Sequence, residues 1–308
     1  MGEAMRVGIT GASGLIGTAL AATLRDRGDV VVPFVRPTSP PNEGLQIRWN
    51  PETHDANDSD IAAVGGLDAV VNLAGTGIAD KRWSEDRKVE ILQSRVKSTA
   101  LLASILPRLT SPPRILASGS AIGFYGSKGN QIVDENSPAG TDFLADVCRQ
   151  WEKATETLSG TGTGVAFLRT GIVQSDRGGA LRQQLPLFRL GVGGRLGTGN
   201  QWISPISLDD EIRAILFILE HAHTGPFNLV CPNPIQNRDY TKELAKVLHR
   251  PAFFSVPSVA LSVLLGRELV EGAVLASQRV VPNRLLELGF SFNQRTNEEI
   301  LTSVLKTR

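Results

Sequence analysis

Cysteine is scarce in this chain. Its 308 residues hold two, Cys148 and Cys231, too few for a disulfide framework and in keeping with a reducing compartment. An excess of either charge is also lacking. Thirty-two lysines and arginines stand against 31 acids, a formal net charge of +1, so the global balance makes no case for a nucleic acid or an anionic membrane as partner. His54, His221, His223 and His249 have no companion cysteines at metal-ligand spacing, and no metal site is expected. The longest apolar stretch near the C-terminus, Val256 to Leu265, contains a proline and serines and is too short to span a bilayer. Five residues precede the first strand-like run, too few for a signal peptide, and the expected location is cytoplasmic. Internal repeats and low-complexity tracts are not found.

What is present is an ordinary globular composition, 41% hydrophobic and 20% charged, long enough for one large domain or two small ones. The most informative stretch opens the chain. Val7 to Thr10 is a β-type run that breaks into Gly11, Gly14 and Gly17, after which Ile16, Leu20 and Leu24 recur at helical spacing. Strand, tight turn and helix in that order bring backbone N–H groups and a helix N-terminus to one point, a site for a pyrophosphate. Gly11 permits the turn, Gly14 admits the phosphates, and Gly17 lets helix and strand pack closely.

The next β-rich run, Val30 to Arg36, ends on an arginine, with no Asp or Glu between Val30 and Thr38. An acid there would take the ribose 2′-hydroxyl of NAD, whereas a guanidinium accommodates a 2′-phosphate, so NADP is expected over NAD. Pro37 to Gly44, with three prolines, is a loop. Asp68 to Gly75 is a buried-type strand with a small-residue end. Ser84 to Leu106 is a long helix whose apolar stripe runs Val89, Leu92, Val96, Ala100 and Ala103; Glu90 and Arg95 fall off it, as residues of a solvated face do. Arg114 to Ser118 is a strand that runs into the hydroxyl- and glycine-rich loop Gly119 to Gly126. A helix over Phe143 to Leu158 and a strand over Val165 to Val173 follow. Alternating strands and helices predict an α/β fold, a Rossmann-type doubly wound parallel sheet. Asp209, Asp210 and Glu211 precede a helix over Ile212 to His221 and are expected to serve as N-terminal caps. The last third is expected to form a smaller, mostly helical substrate-side lobe. The boundaries are 1–175 for the nucleotide-binding domain, with sheet and helix contributions from about 200–232, and 176–308 for the lobe.

Taken with Asn72-Leu-Ala-Gly75 and Ser118-Gly-Ser-Ala-Ile-Gly-Phe-Tyr-Gly126, the glycine turn resembles that of the short-chain dehydrogenase/reductase superfamily, extended branch. More narrowly, the chain is similar to its "epimerase family" group. Arg82-Trp83, Glu90 to Arg95, Trp151-Glu152, Leu168 to Gly171 and Pro186 to Gly191 support the likeness, and residues 256–305 resemble the C-terminal domain of unassigned function that ends this group. The resemblance implies NADP(H), with Gly11, Ser13, Gly14, Leu15, Ile16 and Gly17 at the pyrophosphate. It places Val35 and Arg36 at the adenosine end, Leu73, Ala74 and Gly75 beneath it, Glu90 and Arg95 on the cofactor side of their helix, and Ile172 near the nicotinamide.

One departure stands out. Active members of the superfamily use a Tyr-x-x-x-Lys pair for proton transfer, in which the lysine cation lowers the tyrosine pKa. The residues four beyond Tyr125 and Tyr240 are Gly129 and Leu244, so the pair does not occur; Cys148 and Glu152 occupy its positions. A carboxylate raises a thiol's pKa, which makes Cys148 a poor acid. Ser120 and Tyr125 remain as catalytic candidates. The expected function is an oxidoreductase or epimerase-like enzyme for a small carbonyl or hydroxyl substrate; the alternative is a non-catalytic, NADP(H)-responsive scaffold. The long helices after the third and fourth strands leave room for a homo-oligomer, though their apolar faces are equally explained by packing on the sheet.

Overall fold

The computed structural model describes residues 4–40 and 44–306; the chain ends and positions 41–43, inside the proline-rich loop expected from the sequence, lie outside the described residues. The nucleotide-binding half runs β1 (Arg6–Thr10), α1 (Leu15–Asp26), β2 (Val30–Val35), β3 (Ile47–Asn50), β4 (Asp55–Ala56), α2 (Asp58–Val64), β5 (Ala69–Asn72), α3 (Glu85–Ile105), β6 (Ile115–Ala121), β7 (Ile132–Val133), α4 (Phe143–Lys153) and β8 (Gly164–Thr170). After β9 (Ile172–Gln174), α5 (Gly179–Arg189), β10 (Gly194–Leu196), β11 (Trp202–Ile203) and β12 (Pro205–Ser207), the chain returns to the sheet through α6 (Leu208–Glu220) and β13 (Gly225–Leu229). The remainder comprises β14 (Ile235–Gln236), α7 (Asn237–Leu248), β15 (Phe254–Val256), α8 (Ser258–Leu265), α9 (Arg267–Leu269), β16 (Arg279–Val280), α10 (Asn283–Glu287) and α11 (Asn297–Lys306).

The sheet has eight strands in the order β13-β8-β6-β5-β1-β2-β3-β4. Neighbouring pairs are parallel except β3 and β4. The order reverses between β1 and β5, the switch point outside whose carboxyl ends such sheets bind ligands. Both faces are covered, so β5 carries a continuous apolar run rather than an alternating one. Ala69 and Val71 face α1 and α6, with Leu20, Leu24, Ile215 and Leu219. Val70 faces the other way, toward Leu101, Leu102 and Ile105 of α3. A separate cluster of Leu181, Leu185, Phe188, Tyr240, Leu244 and Leu301 joins α5, α7 and α11 as the core of the lobe. No helix among the described residues is long and apolar enough to cross a membrane.

Two local expectations need correction. The buried face of α3 is Arg87, Ile91, Ser98, Thr99, Leu101, Leu102, Ala103 and Ile105, so of the expected stripe Ala103 is buried while Val89 is exposed. The buried face is turned away from Val89 because hydroxyls on this helix, Ser98 and Thr99, are buried through polar partners that periodicity does not see. Nor do the acids of 209–211 cap α6: Ser207 does, accepting from Asp210 N. Asp210 is fully buried and accepts from Asn293 N and Gln294 N at 2.9 Å each, tying the C-terminal segment to the sheet.

Candidate functional site

The corner between β1 and α1 is built by steric demand. Gly11 has φ +65°, and a Cβ there would lie 2.6 Å from the carbonyl oxygen of Leu73, so the turn after β1 and the loop after β5 touch backbone to backbone. At Gly17 a Cβ would lie 2.3 Å from Gly11 O, so α1 begins pressed onto the turn that feeds it. Thr10 locks the same junction: its buried hydroxyl donates to Asn72 Oδ1 at 2.7 Å and accepts from Leu73 N and Ala74 N. Asn72 Nδ2 in turn donates to Thr99 Oγ1 at 2.8 Å, as does Trp151 Nε1 at 2.9 Å. This polar chain couples the end of β5 to α3 and α4, and it explains why α3 buries a threonine.

The helix end that results is prepared for an anion. Gly14, the N-cap of α1, makes no side-chain capping bond, and the first turn carries no acid. By contrast α2, α3, α4 and α6 are capped by Asn57, Ser84, Asp142 and Ser207 and carry acids in their first turns. An uncapped N-terminus leaves donors and the positive end of the helix dipole for a ligand. Ser13 and Gly14 are exposed there, with Leu15 and Ile16 half-buried beside them, and a Cβ at Gly14 would meet nothing closer than Gly11 O at 3.3 Å, so its outer side is open. Val35 ends β2 half-buried and Arg36 follows it, exposed. Among the described residues no hydrogen bond or ion pair engages the Arg36 guanidinium.

Arg95 and Glu90 take different parts. Arg95 lies against Gly75, where a Cβ would come within 3.3 Å of its side chain, and its guanidinium stacks on Trp151 at 5.1 Å. Burial pushes its pKa below the ordinary arginine value, and among the described residues its side-chain hydrogen bond is to Ile91 O. Such a desolvated cation at the end of β5 welcomes an anionic or π-rich neighbour. Glu90 is exposed and binds Arg87 at 2.7 Å, and Arg87 reaches Gly77 O. Glu90 therefore acts on the loop after β5 through Arg87. Ile172 opens β9, half-buried, with its N–H on Ser204 O.

The serine strand ends in a network that sequence reasoning missed. Ser120 Oγ donates to Glu152 Oε1 at 2.7 Å. Arg169, from β8, grips the same carboxylate twice, Nε to Oε1 at 2.9 Å and Nη2 to Oε2 at 3.0 Å, and lies over the Phe124 ring at 3.5 Å. The available signal was an arginine inside the apolar run Val165 to Thr170, which can be buried only with a partner. The catalytic expectation for Tyr125 is corrected here. Its side chain is fully buried, its hydroxyl donates to Asn228 Oδ1 at 2.7 Å and accepts from Arg169, and burial pushes its pKa up to about 12. A phenol so enclosed cannot reach a substrate, and its work is to hold β6, β8 and β13 together. Tyr125→Phe should therefore cost about 1–2 kcal/mol in a denaturant titration, from the orphaned Asn228 carbonyl, without weakening nucleotide binding. Cys148 is buried as well, its thiol pushed up to about 12 by burial and by Glu152, which makes it inert.

These features agree with the comparisons to known proteins. The model of the NAD dependent epimerase/dehydratase family matches residues 7–144, and that of a domain of unknown function, DUF1731, matches residues 256–304. An epimerase family protein of Mycobacterium bovis is 40% identical over 296 residues, 96% of each chain. The chain belongs to the epimerase family. Within it, the Arabidopsis thaliana epimerase family protein SDR39U1 homolog, a chloroplastic protein, is 37% identical over 98% of this chain and 87% of its own. The human epimerase family protein SDR39U1, solved with NADPH, superposes with a TM-score of 0.89 at 31% identity, covering 99% of this chain and all of its own.

Proposed function

We propose that this epimerase family member is an NADP(H)-dependent oxidoreductase or epimerase-like enzyme of the extended short-chain dehydrogenase/reductase type, acting on a small carbonyl or hydroxyl compound. The observation that carries the reading is the uncapped start of α1 at the switch point, with the unpaired Arg36 at the end of the neighbouring strand. The first fits a pyrophosphate and the second a 2′-phosphate; the NADPH in the human relative supports the same choice. When bound, a nicotinamide supplies hydride transfer. Arg36→Ala should weaken NADPH binding by about 10- to 100-fold and leave NADH nearly unchanged, as for the loss of a charge-assisted phosphate contact. Fluorescence titration of both nucleotides checks this, and wild-type protein that binds NADH more tightly than NADPH would refute it.

On this reading Ser120 is the residue that meets a reacting oxygen. Its proton is directed at Glu152, so a proton given up by a substrate hydroxyl to Ser120 Oγ would have a path, through the loss of the serine's own proton, to the carboxylate. Glu152 thus stands where the superfamily's lysine would, with Arg169 fixing its orientation. Ser120→Ala should lower turnover by about 10²-fold or more without changing nucleotide affinity. The second reading, an NADP(H)-responsive scaffold, is favoured by the enclosure of Tyr125 and Cys148. Loss of absorbance at the nicotinamide band across a panel of carbonyl compounds separates the two; tight binding with no loss supports the scaffold.

A further inference from the structure

The neutral balance of the whole chain conceals a one-signed region. Residues 177–208 contain four arginines and residues 244–267 two arginines and one lysine, and neither segment contains an aspartate or glutamate, although Lys246 and Arg267 are paired with Glu298 and Glu271 from outside them. The fold brings these segments together. β10 pairs with β15 in parallel, Arg250 Nε donates to Arg189 O at 2.9 Å, and Gly191 sits within reach of the Pro251 ring.

At that junction apolar side chains point outward instead of into the Leu181–Phe188–Leu244 core behind them. Phe253 is 92% exposed and Leu190 76%, and Leu187, Val192 and Phe254 are exposed beside them. Arg182, Arg189, Arg195 and Arg250 stand among them in the chain, all exposed. No carboxylate among the described residues pairs with these four.

We infer that this face, the end of α5 with Phe253 just before β15 and Phe254 at its start, docks the protein on an anionic lipid surface. The chemistry selects that occupant. Side chains this exposed are protrusions, and a fluid bilayer interface accepts apolar protrusions without a matching cavity, as a protein partner does not. The arginines near them in the chain add attraction to anionic headgroups. A second copy of the chain is disfavoured, because a two-fold contact through this patch would set like charges against like. An apolar centre with two phenylalanines gains nothing from a phosphate backbone alone. The inference does not depend on the cofactor reading.

The test is sedimentation of the full-length protein with vesicles of phosphatidylcholine alone and of phosphatidylcholine with 40% phosphatidylglycerol. The expected result is pelleting with the anionic vesicles, weakened by 0.5 M salt, and little with the neutral ones. Replacing both Phe253 and Phe254 by aspartate should lower the bound fraction at least ~10-fold, since the apolar area that would enter the bilayer is lost; Arg189→Gln with Arg250→Gln should lower it on anionic vesicles. Val89→Asp, on an exposed apolar site of α3, should change nothing. Unaltered melting temperatures and NADPH titrations show that the variants are folded. No pelleting with either vesicle, equal pelleting with both, or binding indifferent to the phenylalanines would overturn the proposal; binding instead to an acidic protein without vesicle affinity would do the same.

Discussion

Exchange of Gly17 for alanine is expected to weaken NADPH binding at least ~100-fold and to lower stability by about 2–4 kcal/mol. One methyl group has this reach because its position is taken. The new Cβ would lie 2.3 Å from Gly11 O and 2.9 Å from Ala12 Cα, both backbone atoms that no rotamer change can move. Either α1 slides away from β1 or the turn is pushed outward. In the first case Leu20 and Leu24 lose their seats in the core shared with Val7 and Ile9; in the second, Gly11 meets the carbonyl of Leu73. Both displace the helix N-terminus by a substantial part of an ångström, and phosphate binding depends on several donors converging together. Isothermal titration with NADPH and a denaturant titration measure the two losses. Full affinity in the alanine protein would show that no pyrophosphate rests on this corner. The contrast is Gly14→Ala, where the added methyl meets only one oxygen at 3.3 Å: it should leave stability within about 1 kcal/mol and act on nucleotide affinity alone.

Glu211 supplies the second large effect, and it is one of pH. Its side chain is fully buried in the first turn of α6, one oxygen accepting from Thr170 Oγ1 at 2.8 Å and the other without a partner. Burial pushes its pKa up to about 8 from an ordinary value of 4.5. Between those two values the native state holds a proton that the unfolded chain has released, so stability falls as pH rises through that interval and levels off above about 8. The full span is on the order of 4 kcal/mol. Glu211→Gln, a neutral group of the same shape, should be more stable than the natural protein at pH 8–9, with a melting temperature higher by roughly 5 °C or more, and equal to it near pH 4.5. Thermal melts at half-unit intervals of pH in both proteins provide the check. Parallel curves would mean that water reaches the carboxyl. Since Thr170 leads through Gly171 to Ile172, the glutamine protein also asks whether that segment needs a neutral partner behind it.

The family relation places limits on the chemistry. By the resemblance to the superfamily, Cys148 and Glu152 stand where its proton-transfer pair would be expected. The structure shows what fills the gap: a carboxylate already held by Arg169 and already accepting from Ser120. On the proposed reading, a substrate would meet a hydroxyl backed by an ion pair, rather than a phenolate backed by an ammonium.

Much of the fold was legible in the chain because it is written in local patterns. The glycine triplet with flanking β-type and helix-period residues specified strand, turn and helix, since only a residue without a Cβ fits Gly11 and Gly17. The alternation of strands and helices specified a parallel sheet covered on both faces. Arg36, ending a strand with no acid nearby, is the ground in the sequence for expecting a 2′-phosphate. Tertiary structure alone decided what depends on partners distant in sequence. It turned α3 so that Thr99 could serve Asn72 and Trp151, it buried Asp210 and Glu211 behind a serine cap, and it enclosed Tyr125 while joining Ser120, Glu152 and Arg169 across 49 residues of chain. Periodicity reports which residues avoid water; it cannot report which buried polar groups find one another, because that is settled by where the strands of the sheet come to rest.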